Sequence, residues 1–182
     1  MVWRHVMSAG LDYLLTLTYR ENVQDKARAK ADLARFCDLI QASDPEWKYL
    51  AVFQKQKRGA FHMHLAVRGW QKVLWLRAKW REVVGEGNID VRPPRANSGT
   101  YRWGRAQIAK YLSRYIGKDL TEEELNKKRY YHSKNVELPQ VEVIPLFMSF
   151  WEAGIWARKL VSQVGRVARE YEGHWALWLC SV

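Results

Sequence analysis

Apolar positions recur with two different periods along this chain, and the changes of period divide it into elements. Residues 13–19, Tyr-Leu-Leu-Thr-Leu-Thr-Tyr, have the aliphatic, β-branched and aromatic composition of a buried strand. After Asn22 the period lengthens. Leu33, Phe36, Cys37 and Ile40 stand at i, i+3, i+4 and i+7, an apolar stripe on a charged helix that runs to about Ala42 and stops at Asp44-Pro45. Residues 48–56 and 60–67 return to strand composition, and Lys57-Arg58-Gly59 is short enough to fold them into an antiparallel hairpin. Val73, Leu76, Trp80 and Val83 mark a second amphipathic helix over 71–84, ended by Gly85 and Gly87. A short strand over 88–92 then runs into Pro93-Pro94 and a polar loop.

The order β-α-β-β-α-β predicts an α+β fold of ferredoxin-like plan. Its antiparallel sheet packs two helices on one face and leaves the other available. Residues 105–117 read as a further helix, with Ile108, Leu112 and Ile116 as its buried ridge. Tyr111 and Tyr115 lie one turn apart on its flank, and Arg114 and Lys118 fall beside them within a stripe roughly 100° wide. Tyrosines so placed are either the edge of a core or a pair of nucleophiles. Thr121 and Glu124 predict the capped start of a short helix. Residues 136–144 predict an edge strand interrupted by Pro139, residues 146–171 another helix, and 175–180 an apolar tail that packs. The expected organisation is one domain over 1–182, with 145–182 a C-terminal helical extension.

Charge narrows the class of partner. The 182 residues carry a formal net charge of +11, with 10 Trp and 9 Tyr. Such a balance, without a basic amphipathic terminus or lipid anchor, points to a polyanion, nucleic acid before membrane. Lys127-Lys128-Arg129 followed by Tyr130, Tyr131 and His132 is a basic, aromatic patch suited to tracking phosphates and stacking bases, or else a solvated turn. Two cysteines without a CxxC, and no apolar run near the ~18 residues of a membrane span, predict a soluble protein of a reducing cytoplasm.

Phe61-His62-Met63-His64-Leu65 is where chemistry enters. On a strand, alternate side chains share a face, so His62 and His64 point together and Met63 points into the opposite layer. Two imidazoles on one face can chelate a divalent metal, or be structural. Cupin-like sites need a Glu a few residues on, where Arg68-Gly69 stands, and a histidine triad needs a third alternating His, where Ala66 stands.

Three segments occur in a telling order: Leu15-Thr-Leu-Thr-Tyr19, then Gln56-Lys-Arg-Gly-Ala-Phe-His62-Met-His64-Leu, then Lys110-Tyr111-Leu-Ser-Arg114-Tyr115-Ile-Gly-Lys118. Their conjunction resembles the HUH endonuclease superfamily, and within it the two-tyrosine rolling-circle replication initiators of single-stranded DNA phages and plasmids. Arg129-Tyr130-Tyr131 is similar to the family's continuation, so the resemblance spans residues 15–131. It implies an RNA-recognition-like sheet and nicking of a single-stranded origin, as a strand or hairpin, through a 5′-phosphotyrosine. Tyr111 and Tyr115 would be the nucleophiles, aided by Lys118 and Arg114. It implies Mg²⁺ or Mn²⁺ on His62, His64 and a third ligand from the preceding strand, often Glu in this superfamily. Gln54 and Gln56 share that face here, and Gln54 is the expected ligand. Lys57, Arg58, Lys110, Lys127, Lys128, Arg129 and Tyr130 are the expected DNA contacts. With no Walker-type motif in the sequence, a host helicase and polymerase of a bacterial cell are the implied partners, and no membrane. A relaxase, a single-strand transposase, or a non-catalytic single-stranded nucleic-acid-binding module are the alternatives.

Overall fold

The computed structural model describes residues 2–93, 104–116, 129–137, 145, 147–164, 167–173 and 176–181. The chain divides into two compact units, Met1–Pro139 and Gln140–Val182. Among the described residues the first unit runs α1 (Val2–Ser8), β1 (Tyr13–Tyr19), α2 (Lys26–Ser43), β2 (Tyr49–Lys55), β3 (Phe61–Val67), α3 (Val73–Val84), β4 (Gly87–Arg92), α4 (Arg105–Ile116) and β5 (Tyr130–His132). The five strands form one sheet in the order β4-β1-β3-β2-β5, every pairing antiparallel. The α+β sheet with the β-α-β-β-α-β order is therefore present, and β3 with its histidines is its central strand.

Strand pleating explains the layers. Leu15, Leu17, Ala51, Met63, Leu65 and Ile89 point to one face, where they meet Leu33, Phe36, Cys37 and Ile40 of α2 and Leu76 and Trp80 of α3. Asp25 caps α2 by accepting from the Ala27 N–H at 2.8 Å, three residues after the expected start at Asn22. Trp80 is fully buried and its Nε1 donates to the Thr18 carbonyl oxygen at 3.0 Å. A Cβ on Gly87 would lie 2.5 Å from that indole nitrogen, so the first position of β4 has no room for a side chain. In the β2–β3 turn Gly59 adopts φ +89°, the left-handed region that glycine enters without strain.

The opposite face departs from expectation. Rather than lying bare, half of it is covered by α1 and α4, whose Val2, Val6, Ile108, Ala109 and Leu112 pack on Leu14, Leu50, Val52 and Ala66. Helix α1 spans only two turns, too short for periodicity to announce it.

The second unit contains α5 (Phe150–Val164) and an antiparallel hairpin of β6 (Val167–Gly173) and β7 (Ala176–Ser181). This corrects the helix expected over 146–171. A capping box starts α5, with the Ser149 N–H donating to Glu152 Oε2 at 3.0 Å and the Glu152 N–H to Ser149 Oγ at 3.3 Å. Beyond Val164 the backbone pairs across the hairpin, a long-range ladder that a helical wheel does not register. The short helix expected near 121–124 lies outside the described residues, as does most of the strand expected over 136–144. Among the described residues no helix is long and apolar enough to cross a membrane.

Candidate active site

The second face of the sheet changes character along its strands. Leu14, Ala66 and Leu50 form one cross-strand row; the next holds Thr16, His64 and Val52, and the one beyond it Thr18, His62 and Gln54. Apolar side chains thus give way, within two residues on β1 and β3 and within four on β2, to a polar group that α1 and α4 leave partly open. On β4, Asp90 pairs with Thr16 and Asn88 with Thr18, extending the polar rows.

His64 is held at both nitrogens. Its Nε2 stands 2.7 Å from Gln54 Oε1 and its Nδ1 3.1 Å from Thr16 Oγ1. A carboxamide oxygen only accepts, so Nε2 donates to it and Nδ1 accepts from the Thr16 hydroxyl, which defines a neutral tautomer. Burial pushes the His64 imidazolium down to about 4, and the positive charges of His62 and Arg92 push the same way. His62 is also lowered, by burial and then by the nearby Arg58. Both rings are therefore neutral near pH 7, the state in which imidazole offers a lone pair.

Helix α4 brings the tyrosines to this place. Tyr115 lies almost parallel to the His64 ring, centroids 5.0 Å apart and planes 23° apart, and Tyr111 meets it edge-on at 5.2 Å and 84°. The two phenol rings are 5.0 Å apart. Burial pushes the Tyr111 phenol above its ordinary range, and its hydrogen bond to Tyr115 and the charge of that neighbour raise it further.

The residues present suit a divalent cation. Both ring nitrogens of His62 are shut off from solvent and have no hydrogen-bond partner among the described residues, a costly state for a buried polar group. Gln54 is directly opposite His62 in register while its carboxamide reaches His64, and the two imidazole ring centroids are 5.9 Å apart. Among the described residues no group of three or more His, Cys, Asp or Glu side chains gathers, so a third donor beside His62 and His64 would have to be a neutral oxygen such as that of Gln54. Gln56, the other candidate, lies past the end of β2 and accepts from Arg58 Nε at 2.7 Å.

The remaining expected contacts are spread around this centre. Lys57, Arg58, Lys110 and Arg114 are exposed, the first two in the β2–β3 turn and the others on α4. Arg129 reaches the Ile116 carbonyl oxygen at 3.5 Å, at the end of the tyrosine helix. Tyr130 packs on His5 of α1 with centroids 5.2 Å apart, and Tyr131 packs edge-on against Phe53 on the other face. Lys118, Lys127 and Lys128 lie outside the described residues. Sequence reasoning passed over Thr16, which orients His64, and the Asp90–Arg92 ion pair of 3.2 Å at the same edge. Alternation in β1 was the available signal: Thr16 and Thr18 share a face while Leu15 and Leu17 share the other.

Residues 12–120 match the family described as replication-associated protein ORF2, a span that includes both histidines and both tyrosines. No curated protein matches the chain. Among solved structures, the hypothetical protein ORF119 from Sulfolobus islandicus rod-shaped virus 1 is similar at 14% identity with a TM-score of 0.45, over 66% of this chain and 94% of that one.

Proposed function

The chain belongs to the replication-associated protein ORF2 family, and from that premise we propose that it is an HUH-type endonuclease and strand transferase that nicks single-stranded DNA to start and end rolling-circle replication. The observation that carries this reading is the meeting of Tyr111 and Tyr115 with His64, beside a His62 whose ring nitrogens have no hydrogen-bond partner among the described residues.

In this mechanism His62, His64 and Gln54 would hold the divalent ion. Two nitrogens and one neutral oxygen suit Mn²⁺ better than the oxygen-preferring Mg²⁺. When bound, the ion supplies Lewis-acid polarisation of a phosphate oxygen. Were His64 to offer Nε2 as a ligand, its proton would move to Nδ1, where Thr16 Oγ1 would accept the hydrogen bond and keep the ring oriented. A tyrosine Oη gives up its proton to solvent and attacks the scissile phosphorus; the Oη–P bond forms as the P–O3′ bond breaks, and the leaving O3′ takes up a proton from solvent, so no net proton is gained or lost. The products are a 5′-phosphotyrosine and a free 3′-hydroxyl that can prime synthesis. Attack by a 3′-hydroxyl on the phosphotyrosine reverses the step without ATP.

Tyr115 is the first nucleophile in this reading. Tyr111 holds its proton more tightly than an ordinary phenol through burial and its bond to Tyr115, and Lys118 follows Tyr115 at the spacing that lets a cation offset the charge of the transition state. Tyr111 then attacks at the next junction, as ending a circle requires.

The test is a 3′-labelled library of single-stranded oligonucleotides incubated with the protein, with and without Mn²⁺. A covalent adduct on a denaturing gel that needs the metal supports the enzyme, and mass spectrometry of the DNA-bearing peptide identifies the tyrosine. Binding with no adduct under any metal would make the chain a non-catalytic single-strand binder.

A further inference from the structure

At the far end of β3 from His62 the chain turns through Arg68-Gly69-Trp70-Gln71-Lys72 into α3. This loop is pinned in place. Gly69, at φ +72°, donates its N–H to Asp12 Oδ1 at 2.8 Å. Gln71 is buried, and its Nε2 donates to the Arg68 and Gly69 carbonyl oxygens at 3.0 and 2.9 Å. Its Oε1 accepts from Trp47 Nε1 at 3.2 Å. Every polar atom of that buried carboxamide thus serves to hold the loop.

What the loop holds out is an indole. Trp70 is 73% exposed, an unusual fate for the largest apolar side chain on a segment tied down by buried hydrogen bonds. It borders an open cleft of about 440 Å³ between α2 and α3, which Trp47 and Trp75 also line together with Arg68, Lys72 and Asp44. Neither Arg68 nor Lys72 forms an ion pair among the described residues. A rigid aromatic platform flanked by two unpaired cations, on a chain of net charge +11, complements a base and its phosphates. An apolar peptide would have no use for the cations, and a folded phosphoprotein would have no use for an indole projecting over a cleft.

We propose that this cleft is a second binding site for single-stranded DNA, in which a base stacks on Trp70 and the flanking phosphates lie on Arg68 and Lys72. It is separate from the catalytic face, because α2 and α3 pack on the side of the sheet opposite His62, His64 and the tyrosines. The site would anchor the strand away from the point of cleavage, and this inference rests on the proposal that the substrate is single-stranded DNA. Pinning by Asp12 and Gln71 cuts the ordering cost of capture.

The experiment measures Kd for a labelled random-sequence single-stranded 30-mer across a salt series. The proteins are the natural chain, Trp70→Ala and the double variant Arg68→Gln/Lys72→Gln. Parallel photocrosslinking of the natural chain to a 5-iodouracil oligonucleotide is mapped by peptide mass spectrometry. Expected are roughly tenfold weaker binding for Trp70→Ala, a salt dependence flatter by about 1.4 for the double variant, a crosslink at Trp70, and adduct formation at saturating DNA unchanged in every variant. Unaltered binding in all variants with no crosslink at Trp70 would overturn the proposal even if metal-dependent adducts form. The converse result, loss of binding and a Trp70 crosslink with no adduct from any protein, would keep this site and overturn the nicking chemistry instead.

Discussion

Met63 and His62 are neighbours on one strand, yet they meet opposite requirements. Met63 points into the apolar face that α2 and α3 cover, and it is fully buried there. His62 points into a face that is apolar only over half its area, where the sealing helices stop short of the polar rows. The first face holds the fold together by removing hydrocarbon from water. The second uses the rigidity so obtained to keep two imidazoles, a carboxamide and two phenols within reach of one another. A closed layer provides stability, and a half-closed one provides a site.

Breaking the two tyrosines sharpens that contrast most. Tyr111→Phe/Tyr115→Phe should abolish the covalent DNA adduct while leaving single-strand affinity within about twofold, since only two hydroxyls are lost. Persistent nicking by the double variant, read on a denaturing gel, would sink the assignment. Among the single variants Tyr115→Phe should lose the first cleavage; loss confined to Tyr111→Phe would reverse the order proposed.

The adjacent pair on β3 gives the next test. Met63→Ala should cost about 2–5 kcal/mol in urea unfolding, because it leaves a cavity in a closed layer. His62→Ala should cost less than about 1 kcal/mol, since its ring nitrogens make no hydrogen bonds among the described residues, yet it should remove metal-dependent activity. Equal rates for the natural chain in EDTA and in Mn²⁺ would contradict the metal role.

Gln54 offers a gain rather than a loss. Gln54→Glu adds one negative charge to the donor set and should tighten Mn²⁺ by about tenfold, within the range over which ligand charge tunes affinity. Gln56→Glu should change it little, because Gln56 is engaged by Arg58 in the turn. Isothermal titration of Mn²⁺ into the two variants separates them.

A further effect is one of pH. His64 titrates near 4 in the folded chain against an ordinary 6.5, so the unfolded chain takes up its proton first as pH falls. Its contribution to stability is complete above about pH 6.5 and declines by on the order of 3 kcal/mol towards pH 4. Urea unfolding at pH 7, 5.5 and 4 should show this decline, shallower in His64→Gln; identical slopes for the two proteins would contradict the burial argument.

Much of this was legible in the chain. The strand at 13–19 and the helix at 105–116 follow from local periodicity within a residue, and His62, His64, Tyr111 and Tyr115 stand out by spacing. The periods failed where the deciding contact was distant or the element short. Helix α1 has too few residues for a pattern, and the β6–β7 hairpin depends on pairing with a partner strand rather than on its own stripe.

The same division runs through the candidate site. Alternation along a strand is local geometry, and it alone determined that the two histidines share a face and oppose Met63. The choice between Gln54 and Gln56 was not local: both sit on the same side of an extended β2, and only the turn, by ending the strand at Lys55 and drawing Gln56 to Arg58, left Gln54 to meet His64. Packing likewise decided which ring lies flat on His64, because the approach of α4 to the sheet is set by Ile108, Ala109 and Leu112 in a core assembled from separate stretches of chain. Side-chain direction is written in the backbone period; side-chain company depends on how distant segments close around it.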